Sequence, residues 1–140
     1  MYKAIKQIKR EFENKGIKYA FDEQEESQII RAGIPVENGP RIMVLFIARD
    51  DDNDIAVRVF GLISQVKEPQ KKKLLDALNI CNSKFRFYKF YIDANNDVNV
   101  EYDFLTEANN IGPMALEALV RISSILDEAY PIMMKALYKL

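Results

Sequence analysis

Apolar residues recur along this chain at two periods, near 3.6 and near 2, and the places where one gives way to the other mark its elements. Ile5, Ile8 and Phe12 fall at i, i+3 and i+7, while Lys3, Lys6, Lys9 and Arg10 take the other side. This predicts an amphipathic opening helix. Gly16 stops it, because glycine enters the left-handed conformation of a helix cap at little cost. A short alternating run, Ile17-Lys18-Tyr19-Ala20-Phe21, leads into the acidic turn Asp22–Glu26 and a second run, Ser27–Ile34, closed by Pro35. The stretch Pro35–Pro40, with Asn38-Gly39 at its tip, is a loop.

Arg41–Ala48 reads as a strand apolar on both faces, and Ile55–Ile63 as its return across the acidic linker Asp50–Asp54. Lys67-Glu68-Pro69 opens a helix, with proline at an early position where its missing N–H costs nothing. Leu74, Leu75, Leu78 and Cys81 line one side of it. A second hairpin, Phe85–Ile92 and Val98–Phe104, is joined by Asp93-Ala94-Asn95-Asn96-Asp97. From about Pro113 a long helix carries Ala115, Leu119, Ile122, Leu126, Ala129, Met133 and Leu137 at heptad-like spacing, and Pro131 predicts a kink or a split within it. The expected class is α+β, in the order α-β-β-β-β-α-β-β-α. It is a two-layer sandwich of a mainly antiparallel sheet with three helices, in a single domain over residues 1–140.

Composition removes functions from this picture. The 140 residues hold 20 Lys+Arg against 21 Asp+Glu, a net charge of −1, with one Cys and no His. A nucleic-acid-binding protein needs a basic excess that this chain lacks. Without His, Ser–His and Cys–His triads and imidazole metal sites are impossible within the chain. One Cys excludes an internal disulfide and any CxxC motif. The N-terminus has no apolar signal-peptide core, and the longest apolar run, Ile42–Ala48, is far short of the ~20 residues that span a bilayer. The expectation is therefore a cytoplasmic protein with no membrane or nucleic-acid partner.

Individual candidates for chemistry fall away in turn. Asp50–Asp54 resembles the front of a calcium loop, but the pattern needs Gly at its sixth and Glu at its twelfth place, where Ile55 and Gly61 stand. The loop from Asp93 fails alike, with Val98 and Phe104 at those places. Cys81 lies on an apolar face near a helix C-terminus, where the dipole disfavours a thiolate, so it reads as structural. Lys71-Lys72-Lys73 reads as a solvated face. The basic first helix carries too narrow an apolar stripe to favour a membrane surface over the sheet. The glycines stand singly, so no phosphate loop is present, and no carboxylate pair occupies a recognisable acid–base arrangement. The expectation is no catalytic residue, no metal and no cofactor.

The hairpins are more informative. If Ile92 faces Val98, then Phe90 faces Val100 and Tyr88 faces Tyr102, a coherent core side. The other side pairs Tyr91 with Asn99, Lys89 with Glu101 and Phe87 with Asp103. In the first hairpin Met43, Leu45, Ile47, Val57 and Val59 are expected on one dry face, with Ile42, Val44, Phe46, Phe60 and Leu62 around Arg58 on the other. Three helices do not easily cover both faces of such a sheet. Phe85, Phe87, Tyr91, Phe46 and Phe60 are therefore the expected partner or dimer surface.

Leu74-Leu75-Asp76-Ala77-Leu78-Asn79, Cys81-Asn82-Ser83-Lys84-Phe85-Arg86-Phe87-Tyr88-Lys89-Phe90-Tyr91-Ile92-Asp93 and Asp97-Val98-Asn99-Val100-Glu101-Tyr102-Asp103 together resemble the YbjN-domain family. A helix ending in an Asn-rich turn, an aromatic strand, an acidic turn and a strand ending in Glu-x-x-Asp form its signature. Asn95-Asn96 and Tyr88 depart from that pattern, which touches the turn more than the fold. The resemblance implies a bacterial sensory-transduction regulator with a fold like that of type III secretion chaperones, commonly dimeric and without catalysis. With the two-faced hairpins it leads to a non-enzymatic protein-binding or regulatory module, chaperone-like, acting as a homodimer through a sheet face on a protein or peptide client. The alternative from the residues is a small-molecule or metal-responsive sensor using an apolar pocket or the acidic loops.

Overall fold

The computed structural model describes residues 1–37, 39–107 and 110–138, so Asn38, expected at a loop tip, lies outside the described residues. Its elements are α1 (Lys3–Asn14), β1 (Ala20–Glu23), β2 (Ser27–Ile34), β3 (Ile42–Arg49), β4 (Asp54–Ile63), α2 (Glu68–Lys84), β5 (Lys89–Ile92), β6 (Val98–Leu105) and α3 (Ile111–Tyr138). The six strands form one antiparallel sheet in the order β1-β2-β3-β4-β6-β5. The class and element order are those the sequence predicts.

Strand alternation sends one set of side chains under the helices. Ile30, Ala32 and Ile34 of β2, Val44, Phe46 and Ala48 of β3, and Ile55, Val57 and Val59 of β4 are all buried in one cluster. Val98, Val100 and Phe104 of β6 and Phe90 of β5 complete that floor. The apolar sides of α1, α2 and α3 close over it, with Ile5, Ile8 and Phe12, then Leu74, Leu78 and Cys81, then Ala115, Leu119, Ile122, Leu126, Ala129 and Met133. Phe12 meets Phe46 edge to face at 5.5 Å between ring centroids. The Tyr88 hydroxyl donates to the carbonyl of Ala118 at 2.6 Å, tying the sheet to α3.

The first hairpin corrects the sequence reading. Its pairs are Leu45↔Arg58, Phe46↔Val57, Ile47↔Ala56 and Ala48↔Ile55. Phe46 and Val57 therefore share the core face, while Met43, Leu45 and Ile47 lie on the opposite side with Arg58. The expected dry face had combined residues from both sides. Because side chains alternate with period two, a one-residue difference in register moves a strand's whole apolar set across the sheet.

Three further features differ. Strand β5 begins at Lys89 rather than Phe85, because α2 runs to Lys84, Phe85 caps it, and Phe87 at φ +77° turns the chain out of extended geometry. Leu75, expected on the apolar side of α2, is exposed, and Ala77 is buried instead. Helix α3 continues through Pro131 without a split.

Close approach of two helices fixes Gly112. A Cβ there would lie 2.9 Å from the carbonyl oxygen of Gln7 and 2.9 Å from Cβ of Glu11. Backbone on α1 cannot yield locally, so α3 crosses it only because position 112 has no side chain. Gly112→Ala is expected to lower the unfolding free energy by about 1–3 kcal/mol, the usual range for overpacking, despite alanine's better helix propensity. Urea denaturation of the variant beside the parent chain measures it.

Candidate functional site

All three helices lie on one side, so the other face of the sheet carries the exposed chemistry. Across the strands it reads in rows set by the register: Asp22, Ile29, Ile47, Ala56 and Asp103, then Arg31, Leu45, Arg58, Glu101 and Lys89. Met43 and Phe60 stand beyond the second row, 47% and 55% exposed, with Tyr91 half-buried near the β5 edge. Cations and anions interleave among these apolar groups. Arg58 Nη1 donates to Asp103 Oδ1 at 2.7 Å, Arg58 Nε lies 3.5 Å from Glu101 Oε2, and Lys89 Nζ lies 2.6 Å from Glu101 Oε1. Arg31 pairs with Asp22 at 2.5 Å. Burial alone would raise the Glu101 carboxyl, but the bond from Lys89 and the charge of Arg58 outweigh it and hold it below the usual carboxylate range.

Between β3 and β4 the face opens into a cleft. These strands pair only from Leu45↔Arg58 to Ala48↔Ile55, whereas β3 is paired with β2 along its whole length. Beyond Val59 the partner strand bulges, and its pairing with β6 resumes at Ile63↔Val98. Gly61 sits in that bulge at φ +66°, a conformation glycine adopts without strain. The resulting cavity, about 420 Å³, is walled by Met43, Leu45, Phe60 and the Arg41 and Ser64 side chains.

Short polar side chains hold that bulge in place. Asn99, 3% exposed, accepts from the Gly61 N–H at 2.9 Å and donates to Asp93 Oδ2 at 2.8 Å. Asp93 Oδ1 accepts from the N–H groups of Asn95 and Asp97, and Asp97 Oδ1 accepts from the N–H of Gln65. Asn82 works likewise at the sheet's end, with Oδ1 accepting from Phe90 N–H at 2.8 Å and Nδ2 donating to the Phe90 carbonyl at 3.0 Å. Those two backbone groups point outward from the edge strand, so Asn82 takes the place of a neighbouring strand there.

The five residues expected on one surface separate. Phe60 and Tyr91 lie on the open face. Phe46 is fully buried against Phe12, because its register partner Val57 faces the helices. Phe85 packs on the core side, its ring 6.4 Å from that of Phe90. Phe87 is 53% exposed, but its ring leans on Tyr102 and on Arg121 of α3, at the helix-side edge. The pairs Tyr91↔Asn99 and Lys89↔Glu101 stand as expected, while the left-handed backbone at Phe87 removes it from the ladder with Asp103. Met43, Leu45 and Ile47 belong to the open face with Arg58, not to a dry face shared with Val57 and Val59.

The acidic loops serve the backbone. In the first, Asp52 adopts φ +53° and its N–H donates to Arg49, while Thr106 bonds the carbonyls of Asp52 and Asn53. Among the described residues no three Asp, Glu or Cys side chains are grouped to hold a metal ion. Burial pushes the Cys81 thiol up to about 11, as expected of a structural cysteine. Lys71 donates to Asn96 Oδ1, bracing the second acidic turn. No described helix is long and apolar enough to cross a membrane.

A one-sided α+β sandwich, with a mixed-charge open face and an acidic turn locked by Asn99, defines the class of protein. Residues 5–130 match the sequence model of the YbjN family, described as "Putative bacterial sensory transduction regulator", and the chain belongs to that family. No curated protein matches it.

Hydrogen bonds from the Asp97 backbone, together with those from Asn99 and the Asn95 backbone, overcome desolvation and depress the Asp93 carboxyl below its ordinary value of 3.8. A carboxyl with a lowered folded pKa contributes stability above its unfolded pKa, and that contribution is lost as pH falls through the folded value. Acid unfolding of Asp93→Asn, followed by circular dichroism below pH 4, is expected to show a shallower loss of stability than the parent chain.

Proposed function

We propose that the chain is a non-catalytic, cytoplasmic protein-binding module, which pairs with a second copy of itself through the open face of the sheet. The observation that carries this reading is the uncovered face itself, where Met43 and Phe60 project from a wall of ion pairs. The charges favour a second copy as occupant. Arg31, Arg58 and Lys89 are interleaved with Asp22, Glu101 and Asp103, and a face holding both signs can oppose each to the other across a twofold axis. Six strands spaced ~4.8 Å apart and ~20 Å long make a face of roughly 500 Å² in projection. That scale suits the ~800 Å² of accessible surface each partner buries in a standard interface.

The face serves better than either edge of the sheet. Asn82 already occupies the outward groups of Phe90, and β1 is only four residues long beside the acidic run Asp22–Glu26. A polypeptide client would then lie in the cleft beside Met43 and Phe60, in a module regulating its partner as the family description suggests. The chaperone-like fold implied by the sequence resemblance belongs to the same proposal.

Light scattering tests it directly. The parent chain is expected to run as a dimer, and Phe60→Ser combined with Tyr91→Ser to weaken association by about tenfold or more, the scale of losing interface anchors. Helical content should stay unchanged, since neither residue is in the core. Phe87→Ser, on the other side, should leave association intact. A monomeric parent chain at every concentration, or dimers indifferent to Phe60 and Tyr91, overturns the reading.

A further inference from the structure

The cleft between β3 and β4 is a fork whose strands part toward one end. Both strands run on past their last pair, Leu45↔Arg58, β3 back to Ile42 and β4 out to Ile63. On β4 the residues Phe60, Gly61 and Leu62 stand opposite Asn99 alone, between the pairs Val59↔Val100 and Ile63↔Val98. That excess of chain buckles β4 away from β3. Along Ile42–Val44, β3 therefore has a strand partner on its β2 side only. The main-chain groups of this stretch that point away from β2 look into the cleft, an unpaired edge inside the sheet rather than at its margin.

The charge of the cleft is one-sided. Arg41 is the sole charged side chain among its described walls, which are otherwise apolar apart from Ser64. Its guanidinium folds over Gly33, the β2 residue paired with Met43: a Cβ at Gly33 would lie 2.7 Å from Nη2 and 2.8 Å from Nε. The missing side chain at position 33 thus seats the cation on the open face beside Met43. Among the described residues no carboxylate lies within ion-pair distance of Arg41, whereas Arg31, Arg58 and Lys89 on the same face are all paired.

We propose that the cleft takes a short extended segment of a partner polypeptide, its main chain along Ile42–Val44, an apolar side chain between Met43 and Phe60, and a glutamate at Arg41. This rests on the reading of the chain as a protein-binding module and adds the kind of client it takes. An unpaired strand edge is satisfied by another main chain, which a small apolar ligand does not supply. The cleft, about 420 Å³, lies within the ~300–1,000 Å³ of ligand pockets, so it holds a few residues rather than a folded domain. The unpaired guanidinium sets the sign of the segment, because its planar fork matches a carboxylate. Arg41 reaches over Gly33 on one side of β3 and the segment lies on the other, so the acid must cross one strand spacing of ~4.8 Å, within reach of glutamate. Side chains two apart share a face of a strand, which places the glutamate two residues from the apolar anchor.

The probe is an end-blocked pentapeptide, threonine-leucine-threonine-glutamate-threonine, titrated into the isotope-labelled full chain and followed by NMR. Saturable shifts are expected at Arg41, Met43, Val44 and Phe60, with a dissociation constant in the millimolar range or tighter. The same peptide with glutamine for glutamate, and the parent peptide on Arg41→Gln, should each bind about tenfold more weakly, as for a lost charge-assisted hydrogen bond. A peptide N-methylated at the leucine and the central threonine should lose as much, because it cannot donate to β3. Hexanoate, which has the charge and an apolar tail but no main chain, should leave these signals unmoved. The proposal is overturned by no saturable shift at about 10 mM peptide. Equal binding of the N-methylated form, indifference to Arg41→Gln, or an equal response to hexanoate overturns it as well. Shifts at Met43 and Phe60 that follow the chain's own concentration instead of the peptide's assign the cleft to a second copy and also overturn it. A chain that dimerises through Phe60 and Tyr91 yet ignores the peptide defeats this proposal alone, whereas a monomer that binds the peptide defeats only the dimer.

Discussion

Phe46 stands opposite Val57 across β3 and β4, and this pairing decides on which side the whole molecule is dry. The core-facing positions of the neighbouring strands follow from it through alternation, from Ile30 on β2 to Val100 on β6. Arg58 enforces the choice. Shifting β4 by one residue would carry its guanidinium beneath the helices, away from Glu101 and Asp103, and an unpaired buried charge costs several kcal/mol. The same shift would bring Val57 and Val59 out to solvent. The exposed pairs of the open face, such as Arg31 with Asp22, contribute little individually, yet the charges together oppose the alternative register strongly. Specificity rather than net stability is what these charges supply.

The sheet's irregular places are completed by side chains acting as backbone. Asn82 bonds both groups of Phe90, Asp93 collects the N–H groups of its turn, and Asn99 bridges Asp93 to the bulge at Gly61. Asp and Asn suit these places because their polar atoms lie close enough to the main chain to bond it locally. The consequence reaches the open face. With Asn99 fixing the bulge, β4 leaves its pairing with β3 after Arg58, and the cleft beside Met43 and Phe60 follows from that departure.

Most elements were legible because their periodicity was strong: the stripe Ile5, Ile8, Phe12, the heptad-like run in α3, and the alternation Phe90, Ile92 against Val100, Val98 all sit as the sequence implied. The first hairpin was less legible because β3 is apolar at nearly every position. Ile42 through Ala48 offers no polar residue to mark the solvent side, so its facing depends on the link at 49–54 rather than on pattern. The candidate surface was accordingly half-readable. Phe60 and Tyr91 stand beside polar neighbours that mark their face, whereas Phe46 has none. Phe87 was misplaced for another reason, since nothing in an alternating aromatic run announces a left-handed residue. Its packing is set only with α3 in place, when Arg121 arrives across the ring.

Strand β6 joins these observations, because it serves both sides of the molecule at once. Val98, Val100, Tyr102 and Phe104 face the helices, and Tyr102 lines a small cavity between the sheet and α3. Asn99, Glu101 and Asp103, alternating with them, fix the bulge and pair with Arg58 and Lys89 on the open face. The strand cannot slide to accommodate one side without displacing the other, since a one-residue step exchanges the two sets. Its flanking partners, β4 and β5, are held to it by ladder bonds and by cross-strand charge, so adjustment is confined to side chains. The two surfaces are therefore separated by a rigid divider whose residues touch both. A tyrosine and a glutamate adjacent in sequence, Tyr102 and Glu101, face opposite environments because the backbone between them is extended.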